Sequence, residues 1–355
     1  MRKRKKKVIE SLQNLGLQTY NQLVRKEFPK VKMPSRSIQN IFYDPTLRQY
    51  ILGDRFVSRS ARNIGHIRPM TQLMWTAFFV NDLTKLNKTS TLRDVFYSAQ
   101  AYEMNFVDQP ESDNIITDLE TVLGFAREDF NVFPEERSAI FGDLTIEYTV
   151  PGWTGRRVNL TDNPDGVVIG PALTSAEFVD CKANKIIAIE KGALFTRFVE
   201  ERVHERFKSI LIQTAGQAPR ATRALIRRLN KELDLPVYIF TDADPWGMHI
   251  AMVIISGSAN AAHLRELNTP DAKWCGVWAT DIESYNLPGD KLTDLDVKRL
   301  YELQKDPRYE GNLWKKQIEA FLRGRRKAEQ EAFSRYGLTF IVDKYLPEKL
   351  KSMKA

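Results

Sequence analysis

The second half of the chain alternates short apolar segments with helical patterns, and this alternation constrains the fold more than any other feature. The strand-like segments are 185–190, 210–212, 237–240 and 274–278, and the helical segments are 194–207 and 220–233. Such alternation is typical of a parallel sheet covered by helices, in which ligands bind at the carboxyl ends of the strands. We therefore predict an α/β fold for this half, within a multi-domain α+β chain.

Carboxylates follow two of these predicted strands. Glu190 ends the first strand, and Asp242 and Asp244 follow the third. In extended chain, residues two apart share a face at roughly 6.6 Å, where two carboxylates repel by about 2.5 kcal/mol at an effective dielectric constant of about 20. A hard divalent cation removes that repulsion, and oxygen ligands favour Mg²⁺. A DxD pair alone is more often a helix cap, but a Glu on another parallel strand favours a Mg²⁺ site.

A short amphipathic helix upstream carries a candidate nucleophile. The segment 89–100 opens with hydroxyl residues that can cap a first helical turn. Its apolar face holds Leu92, Val95, Phe96 and Ala99. Arg93 and Tyr97 lie one turn apart on a neighbouring face, so a cation adjoins a phenol outside the core. Taken alone, the pattern is that of an ordinary packed helix. The predicted metal site is what makes Tyr97 a candidate nucleophile.

The first half of the chain shows short helices followed by extended segments, a pattern typical of a winged-helix unit. A turn-rich stretch at 151–166 separates it from the sheet. Helices are predicted at 8–27, 34–43, 70–86 and 112–124, and extended segments at 47–56 and 144–150. The predicted divisions are an N-terminal helical and basic region (1–68), a winged-helix domain with Tyr97 (69–152), and the sheet domain with a C-terminal helical extension (153–355).

Charge and cysteine content narrow the function classes. Lys and Arg number 53 against 45 Asp and Glu, and the net charge of +8 favours a polyanionic partner. The basic run Arg2–Lys7 is interpreted as a solvated tail, a DNA-contacting arm or a nuclear signal. Cys181 and Cys275 are far apart, which supports neither a disulfide framework nor a zinc site. We see no signal peptide, membrane span or GxxxxGK[ST] loop, and expect a soluble intracellular protein that does not itself bind ATP.

Several stretches, in a fixed order, resemble the A-subunit family of DNA topoisomerase VI, which provides the catalytic chain of type IIB topoisomerases. The stretches are PSRSIQNIFYD at 34–44, TLRDVFY at 91–97, AIEKGALF at 188–195, GQAPRATR at 216–223, TDADPWG at 241–247 and RKAEQEAF at 326–333. The Glu and DxD arrangement looks like a Toprim domain. The segments KAEQEAF and DKYLPEKL look more like the topoisomerase chain than like the related meiotic double-strand-break proteins. The resemblance implies a CAP-like winged-helix domain followed by a Toprim domain.

The resemblance also implies a role for each candidate residue. Tyr97 matches the tyrosine that attacks a DNA phosphodiester and becomes linked to the 5′ end, and Arg93 matches an arginine that stabilises the phosphate. The residues that match the Mg²⁺-binding acids are Glu190, Asp242 and Asp244. Two positions depart from the family pattern. Phe96 replaces the first tyrosine of the usual pair, which leaves Tyr97 as the one candidate nucleophile, and Asp94 stands where Glu is common.

The family further implies double-stranded DNA as substrate and a homodimer in which Tyr97 of one protomer meets the acids of the other. ATP would be bound by a separate GHKL-type ATPase, the B-subunit of the family's enzymes, in an A2B2 heterotetramer, with the N-terminal helical region as its docking surface. The implied location is the cytoplasm beside the nucleoid of an archaeal-type cell, or the nucleus of a eukaryote, with no membrane partner.

Other interpretations stay open. The chain could be a meiotic-type double-strand-break protein, a Toprim nuclease without a covalent intermediate, or a non-enzymatic winged-helix DNA-binding protein whose acids are structural. The tryptophans predicted to be core residues rather than base-stacking platforms are Trp246, Trp274 and Trp278. The basic segment 315–335 is predicted to be a solvated helix, with the lining of a DNA channel as the alternative.

Overall fold

Two hydrophobic cores organise residues 2–135, 137–264 and 266–353, the part of the chain that this computed structural model describes. The first core gathers buried side chains between Val8 and Val132, and the second gathers those between Ile140 and Leu350. The change from one core to the other therefore falls between Val132 and Ile140, ahead of the turn-rich stretch. Apolar burial does not by itself define folding units, so the division at 152 stays a prediction.

The first core is built from helices joined by short strands. Its elements are α1 (Arg2–Val24), β1 (Lys30–Pro34), β2 (Ile41–Asp44), β3 (Gln49–Leu52), β4 (Phe56–Ser60), α2 (Ile64–Leu86), β5 (Ser90–Thr91), α3 (Leu92–Gln100), α4 (Gln109–Leu123) and β6 (Val132–Phe133). β1 pairs with β4 and β2 with β3, both antiparallel, whereas β5 and β6 are parallel. The helices predicted at 8–27, 70–86 and 112–124 and the extended segment at 47–56 are confirmed, with shifted ends.

The short helix predicted at 34–43 is wrong. Only Ile38–Asn40 form one helical turn, and strand β2 follows it directly. The buried Asn40 side chain donates to the carbonyls of Ser35 (2.8 Å) and Arg55 (3.2 Å), so side-chain bonds replace the backbone bonds of a longer helix. The β-branched and aromatic residues after Asn40 also favour a strand.

The second core surrounds a six-stranded sheet of order β10-β7-β13-β12-β14-β15, whose last four strands are parallel. Its elements are β7 (Ala139–Phe141), β8 (Leu144–Glu147), β9 (Arg157–Asn159), β10 (Val167–Val168), α5 (Pro171–Thr174), β11 (Glu177–Cys181), β12 (Lys185–Ile189), α6 (Gly192–Glu200), α7 (Val203–Arg206), β13 (Ser209–Gln213), α8 (Arg220–Glu232), β14 (Val237–Phe240), α9 (Pro245–Ser256), β15 (Lys273–Gly276), α10 (Ala279–Ser284), β16 (Asp290–Lys291), α11 (Asp294–Gln304), α12 (Asn312–Gly324), β17 (Arg326–Lys327) and α13 (Leu346–Ser352). The four predicted strands correspond to β12, β13, β14 and β15, so the α/β prediction is confirmed.

Strand order in this sheet differs from chain order. β13 and β14 lie on either side of β12, so the two strands that precede the acids, β12 and β14, are nearest neighbours. Both strands are buried along their whole length, as expected for parallel strands covered on two faces. The crossover therefore places the ends of the acid-bearing strands side by side.

The extended segment predicted at 144–150 does not flank the Tyr97 helix. β8 pairs with β9 and β11 in a separate three-stranded sheet, and Leu144 and Ile146 point into the second core. Because these apolar residues alternate with polar ones, they lie on one face of the strand, and that face packs on the second core. This segment therefore does not supply the hairpin that flanks a helix in a winged-helix unit.

The C-terminal helices close over one end of the sheet. α12 buries Ile318 and Phe321 in the second core, and Trp314 at its start stacks on Trp274 of β15 with ring centroids 4.7 Å apart. The predicted C-terminal helical extension is thus confirmed, although the helix predicted over 315–335 ends at Gly324 and is half-buried. Across the described residues, no helix has the length and apolarity that crossing a bilayer requires.

Candidate active site

Two carboxylates meet at the carboxyl edge of the six-stranded sheet. Ile189 of β12 lies opposite Phe240 of β14, and the Glu190 amide donates to the Phe240 carbonyl at 3.0 Å. One step further along, the Asp242 amide donates to Glu190 Oε2 at 3.0 Å. The parallel pairing of neighbouring strands thus places Glu190 beside Asp242.

Two further contacts, which the sequence analysis missed, hold Asp242. Its Oδ1 accepts a hydrogen bond from the Gln330 amide at 3.0 Å, and its Oδ2 lies 3.2 Å from Lys191 Nζ. Lys191 follows Glu190 directly in the stretch AIEKGALF, which is a signal for it, whereas Gln330 is 88 residues away from Asp242 along the chain. The Asp242 carboxylate, on a residue only 6% exposed, is thereby compensated by one cation and one amide.

Asp244 begins helix α9 and caps it. Its Oδ1 accepts a hydrogen bond from the Gly247 amide at 2.5 Å. Glycine is required at position 247 because a Cβ there would lie 2.2 Å from the Asp242 carbonyl oxygen. The capping role that a lone DxD pair suggests is therefore present for Asp244, which still repels Asp242 electrostatically.

Burial raises the pKa values of all three acids, and repulsion from neighbouring carboxylates adds to it for Glu190 and Asp242. Burial, followed by the charge of Asp242, raises the pKa of Glu190 to about 7. Burial raises the pKa of Asp242 to about 6, with repulsion from Asp244 adding to it, and burial also raises the pKa of Asp244. Although burial opposes the change, the charge of Asp242 raises the pKa of Lys191 to about 12. The edge therefore concentrates negative charge that Lys191 and Lys327 compensate only in part.

The donor chemistry of this edge fits a hard divalent cation. Carboxylates that repel one another are the ligands that Mg²⁺ prefers, and the ion relieves their repulsion. Within residues 2–135, 137–264 and 266–353, however, no three acidic, His or Cys side chains are already arranged to hold one ion together. Lys191 and Gln330 hold Asp242, and the α9 cap holds Asp244, so ion binding requires some of these contacts to rearrange.

Helix α3, which carries Tyr97, begins with a capping box. Thr91 Oγ1 accepts from the Asp94 amide, and the Asp94 carboxylate accepts from the Thr91 amide, both at 3.0 Å. Val95 and Ala99 are buried in the first core, whereas Tyr97 is 51% exposed. The predicted helix, its hydroxyl cap and the outward position of Tyr97 are confirmed, whereas Phe96 of the predicted apolar face is only half-buried. Asp94, which departs from the family's Glu, serves as the second half of the cap.

Arg93 adjoins Tyr97, as the helical spacing predicts. Its Cζ lies 5.7 Å from the centroid of the Tyr97 ring, within cation–π range, and Phe96 packs edge-on against the same ring at 5.3 Å. Among the described residues, the ring contacts of Tyr97 are with these two neighbours on its own helix. The structure therefore brings Glu190 and Asp242 together but does not bring Tyr97 to them within one chain.

Trp246 is exposed, which corrects its prediction as a core residue. The residue is 48% exposed, lies two positions after Asp244 in the first turn of α9, and has Arg299 Cζ 5.3 Å from its ring centroid. The first turn of α9 lies at the carboxyl edge of the sheet, where one side of the helix faces solvent, and Trp246 is on that side. Trp274 and Trp278 pack in or against the second core, as predicted.

Comparison with known proteins assigns the chain to a family. A family model described as the Toprim domain of the topoisomerase 6 A-subunit and Spo11 matches residues 185–350, and one described as type IIB DNA topoisomerase matches residues 68–132. The type 2 DNA topoisomerase 6 A-subunit of Methanothermobacter thermautotrophicus is 44% identical over 356 residues, covering 99% of each chain. Proteins of the same name from Archaeoglobus fulgidus and Haloarcula marismortui are 36% and 37% identical, covering 99% and 97% of this chain and 99% and 95% of their own. The chain therefore belongs to the A-subunit family of topoisomerase 6, the type IIB DNA topoisomerases.

Proposed function

We propose that the chain is the DNA-cleaving and DNA-rejoining component of a type II topoisomerase that uses ATP through a partner protein. One observation carries the proposal: a candidate nucleophile lies on the first core, and a candidate metal site lies on the second. An exposed phenol, Tyr97, lies beside Arg93 on the first, and a buried pair of carboxylates, Glu190 and Asp242, ends neighbouring strands of the second. Full-length similarity to the topoisomerase 6 relatives supports it.

In the proposed reaction, the Tyr97 oxygen attacks a phosphorus atom of the DNA backbone. The bond from phosphorus to the 3′ oxygen breaks, that oxygen takes up a proton, and the phenolic proton passes to solvent. The phosphate at the 5′ end becomes esterified to Tyr97, which conserves the bond for the reverse attack by the 3′ hydroxyl. Because a free tyrosine titrates near pH 10, forming the phenolate at neutral pH costs roughly 4 kcal/mol. Arg93, one turn away, is placed to hold the attacked phosphate.

The residues that would hold Mg²⁺ are Glu190, Asp242 and, after release from its cap, Asp244. When bound, the ion supplies positive charge to the attacked phosphate and to the leaving oxygen. Lys191 fixes the Asp242 carboxylate at this edge, and the bond from the Asp242 amide fixes that of Glu190. The chain's own contribution is therefore a charged edge held in place by strand pairing.

Breaking a duplex requires two such sites and therefore two copies of the chain. Tyr97 and the acids belong to different parts of one chain, which supports a composite site made from Tyr97 of one protomer and the acids of its partner. The names of the relatives describe them as one kind of subunit within a larger enzyme. Following the family resemblance, we take the ATP-binding partner to be a GHKL-type ATPase, the B-subunit, in an A2B2 heterotetramer. This sequence itself has no GxxxxGK[ST] loop.

Denaturing electrophoresis of end-labelled DNA, after incubation with Mg²⁺, separates the candidate functions. We expect the wild-type chain with its ATPase partner to leave protein on the 5′ ends, and Tyr97→Phe to leave none while still binding DNA. Protein-free cleaved ends would indicate a Toprim nuclease, and binding without breaks a DNA-binding protein. ATP-dependent relaxation of supercoiled DNA would distinguish a topoisomerase from a meiotic-type break-forming protein.

A further inference from the structure

A fully buried carboxylate joins the two halves of the chain. Glu120 of α4 has its Oε1 at 2.6 Å from Arg220 Nη1, at the start of α8, and its Oε2 at 3.2 Å from His263 Nε2. Arg220 and His263 both lie in the part of the chain that holds the second core, whereas α4 packs in the first. Burying a charged carboxylate without partners is costly, so both contacts stabilise Glu120 where it lies.

On the side of the first core, Glu120 fixes the segment that holds the start of α3. The Arg127 amide donates to Glu120 Oε1 at 2.9 Å. The segment that begins there leads into β6, which pairs with β5, and the Ser90 amide donates to the Asn131 carbonyl at 3.0 Å. The last residue of β5 is Thr91, the cap of the Tyr97 helix. Helices α4 and α3 also share the first core directly.

On the side of the second core, Arg220 is tied to the acidic edge. The Thr214 amide donates to the Ile189 carbonyl at 2.8 Å, and the Gly216 amide donates to the Glu190 carbonyl at 3.2 Å. The same loop then runs directly into α8, which begins at Arg220. A continuous set of contacts therefore leads from the backbone of Glu190, through Arg220 and Glu120, to the first turn of the Tyr97 helix.

We propose that Glu120, acting through Arg220 and His263, is a positioning residue that sets the orientation of the Tyr97 helix relative to the acidic edge. This inference rests on the proposed function. In a symmetric homodimer, the orientation of the Tyr97 helix within each protomer also sets how each Tyr97 approaches the acids of the other copy. A change in that orientation therefore misplaces Tyr97 at both sites. A misplacement of about 1 Å between reacting groups can cost about 100-fold in rate.

The same helix offers a matched control. Asp118 of α4 is 4% exposed and forms ion pairs with Arg36 at 2.7 Å and with Arg59. Both arginines lie in the first-core part of the chain, so this carboxylate is buried and paired like Glu120 but does not bridge the two parts. Loss of its charge should therefore reduce stability comparably without changing their relative orientation.

The test compares Glu120→Gln with Asp118→Asn in the complete assembly with the ATPase partner. We measure thermal unfolding, DNA affinity and the rate of covalent adduct formation at saturating DNA. The adduct rate is divided by the concentration of folded protein. We expect both variants to unfold at lower temperature and to bind DNA similarly. Only Glu120→Gln should lose adduct rate at saturating DNA, by about tenfold or more. Arg220→Lys should retain more of that rate than Arg220→Met.

Equal adduct rates in the two carboxylate variants, or a loss that follows only the folded fraction, would overturn the positioning role. If Glu120→Gln does not fold, Arg220→Lys compared with Arg59→Lys, at the other partner of Asp118, gives the same comparison with milder changes. A wild-type assembly that forms no adduct would overturn the proposed function and this inference with it. If the wild-type assembly forms adducts and neither Arg220→Lys nor Glu120→Gln changes the adduct rate, this inference is overturned while the proposed function stands.

Discussion

The Asp242 amide donates a 3.0 Å hydrogen bond to the Glu190 carboxylate across two neighbouring parallel strands. This bond makes the two acids one structural unit at the carboxyl edge of the sheet. Both have raised pKa values because burial, and after it repulsion from neighbouring carboxylates, disfavours their charged forms. A cation that enters this edge therefore meets two adjacent carboxyl groups, and some of their present contacts must rearrange for it to bind.

Glu190→Gln tests the metal assignment. The substitution keeps an oxygen that can accept from the Asp242 amide but removes a charge from a repulsive cluster. We expect Mg²⁺ affinity to fall by at least roughly tenfold and adducts to disappear, while Tm without metal stays equal or rises. Calorimetric Mg²⁺ titration and thermal unfolding measure the two effects. Unchanged Mg²⁺ affinity together with a lower Tm would show that Glu190 is structural.

A composite site predicts complementation between two inactive chains. A heterodimer of one Tyr97→Phe protomer and one Glu190→Gln protomer keeps one intact site if Tyr97 acts with the acids of the other copy. We expect this heterodimer to nick one strand of a supercoiled plasmid, whereas either homodimer leaves the plasmid intact. An inactive heterodimer would instead place each site within a single chain.

Thr91→Ala tests the capping box that starts the Tyr97 helix. Loss of the hydroxyl leaves the Asp94 amide without its acceptor, so the free energy of unfolding should fall by about 1 kcal/mol. Urea unfolding followed by circular dichroism measures this change. Thr89→Ala removes an exposed hydroxyl just outside the cap and should change stability by much less. Equal effects of the two substitutions would speak against the cap.

Glu120 predicts a pH-dependent contribution to stability. Burial alone would raise its pKa, but the hydrogen bond from His263 and the charges of Arg220 and Arg127 lower it to about 2, from an ordinary value of 4.5. A carboxyl with a lower pKa in the folded state stabilises the fold above about pH 4.5 and loses that effect as the pH falls toward 2. The contribution at neutral pH is about 3 kcal/mol.

Denaturant unfolding of wild type and Glu120→Gln at several pH values measures this contribution. The variant should be less stable at neutral pH, and the difference in free energy of unfolding should shrink as the pH is lowered below about 4.5. A difference that stays constant across that range would contradict the pKa assigned to Glu120.

Local features of the fold were predictable because short-range chemistry determines them. The hydroxyl cap of α3, the two faces around Tyr97 and the four strands of the parallel sheet all follow from spacing within about ten residues. The error at 34–43 has a local cause too, since the Asn40 side chain takes over backbone hydrogen bonding and ends the helix after one turn.

The remaining features depend on contacts between distant parts of the chain. No local pattern gives the strand order that sets Glu190 beside Asp242, and the bond from Gln330 to Asp242 spans 88 residues. The bridges from Glu120 to Arg220 and His263 span 100 and 143 residues. The contacts around Asp242 form only when the second core is assembled, and the Glu120 bridges form only when the two cores are placed against each other.

Identification of the amino acid that carries the DNA tests the central claim most directly. Cleavage reactions with Mg²⁺ and the ATPase partner are stopped with denaturant, digested with nuclease and trypsin, and analysed by tandem mass spectrometry of the peptide 94–127. Both Tyr97 and Tyr102 lie in this peptide, and both are about half exposed. We expect the nucleotide phosphate on Tyr97. Its attachment to Tyr102, or cleaved DNA with no tyrosine-linked nucleotide, would contradict the proposed mechanism.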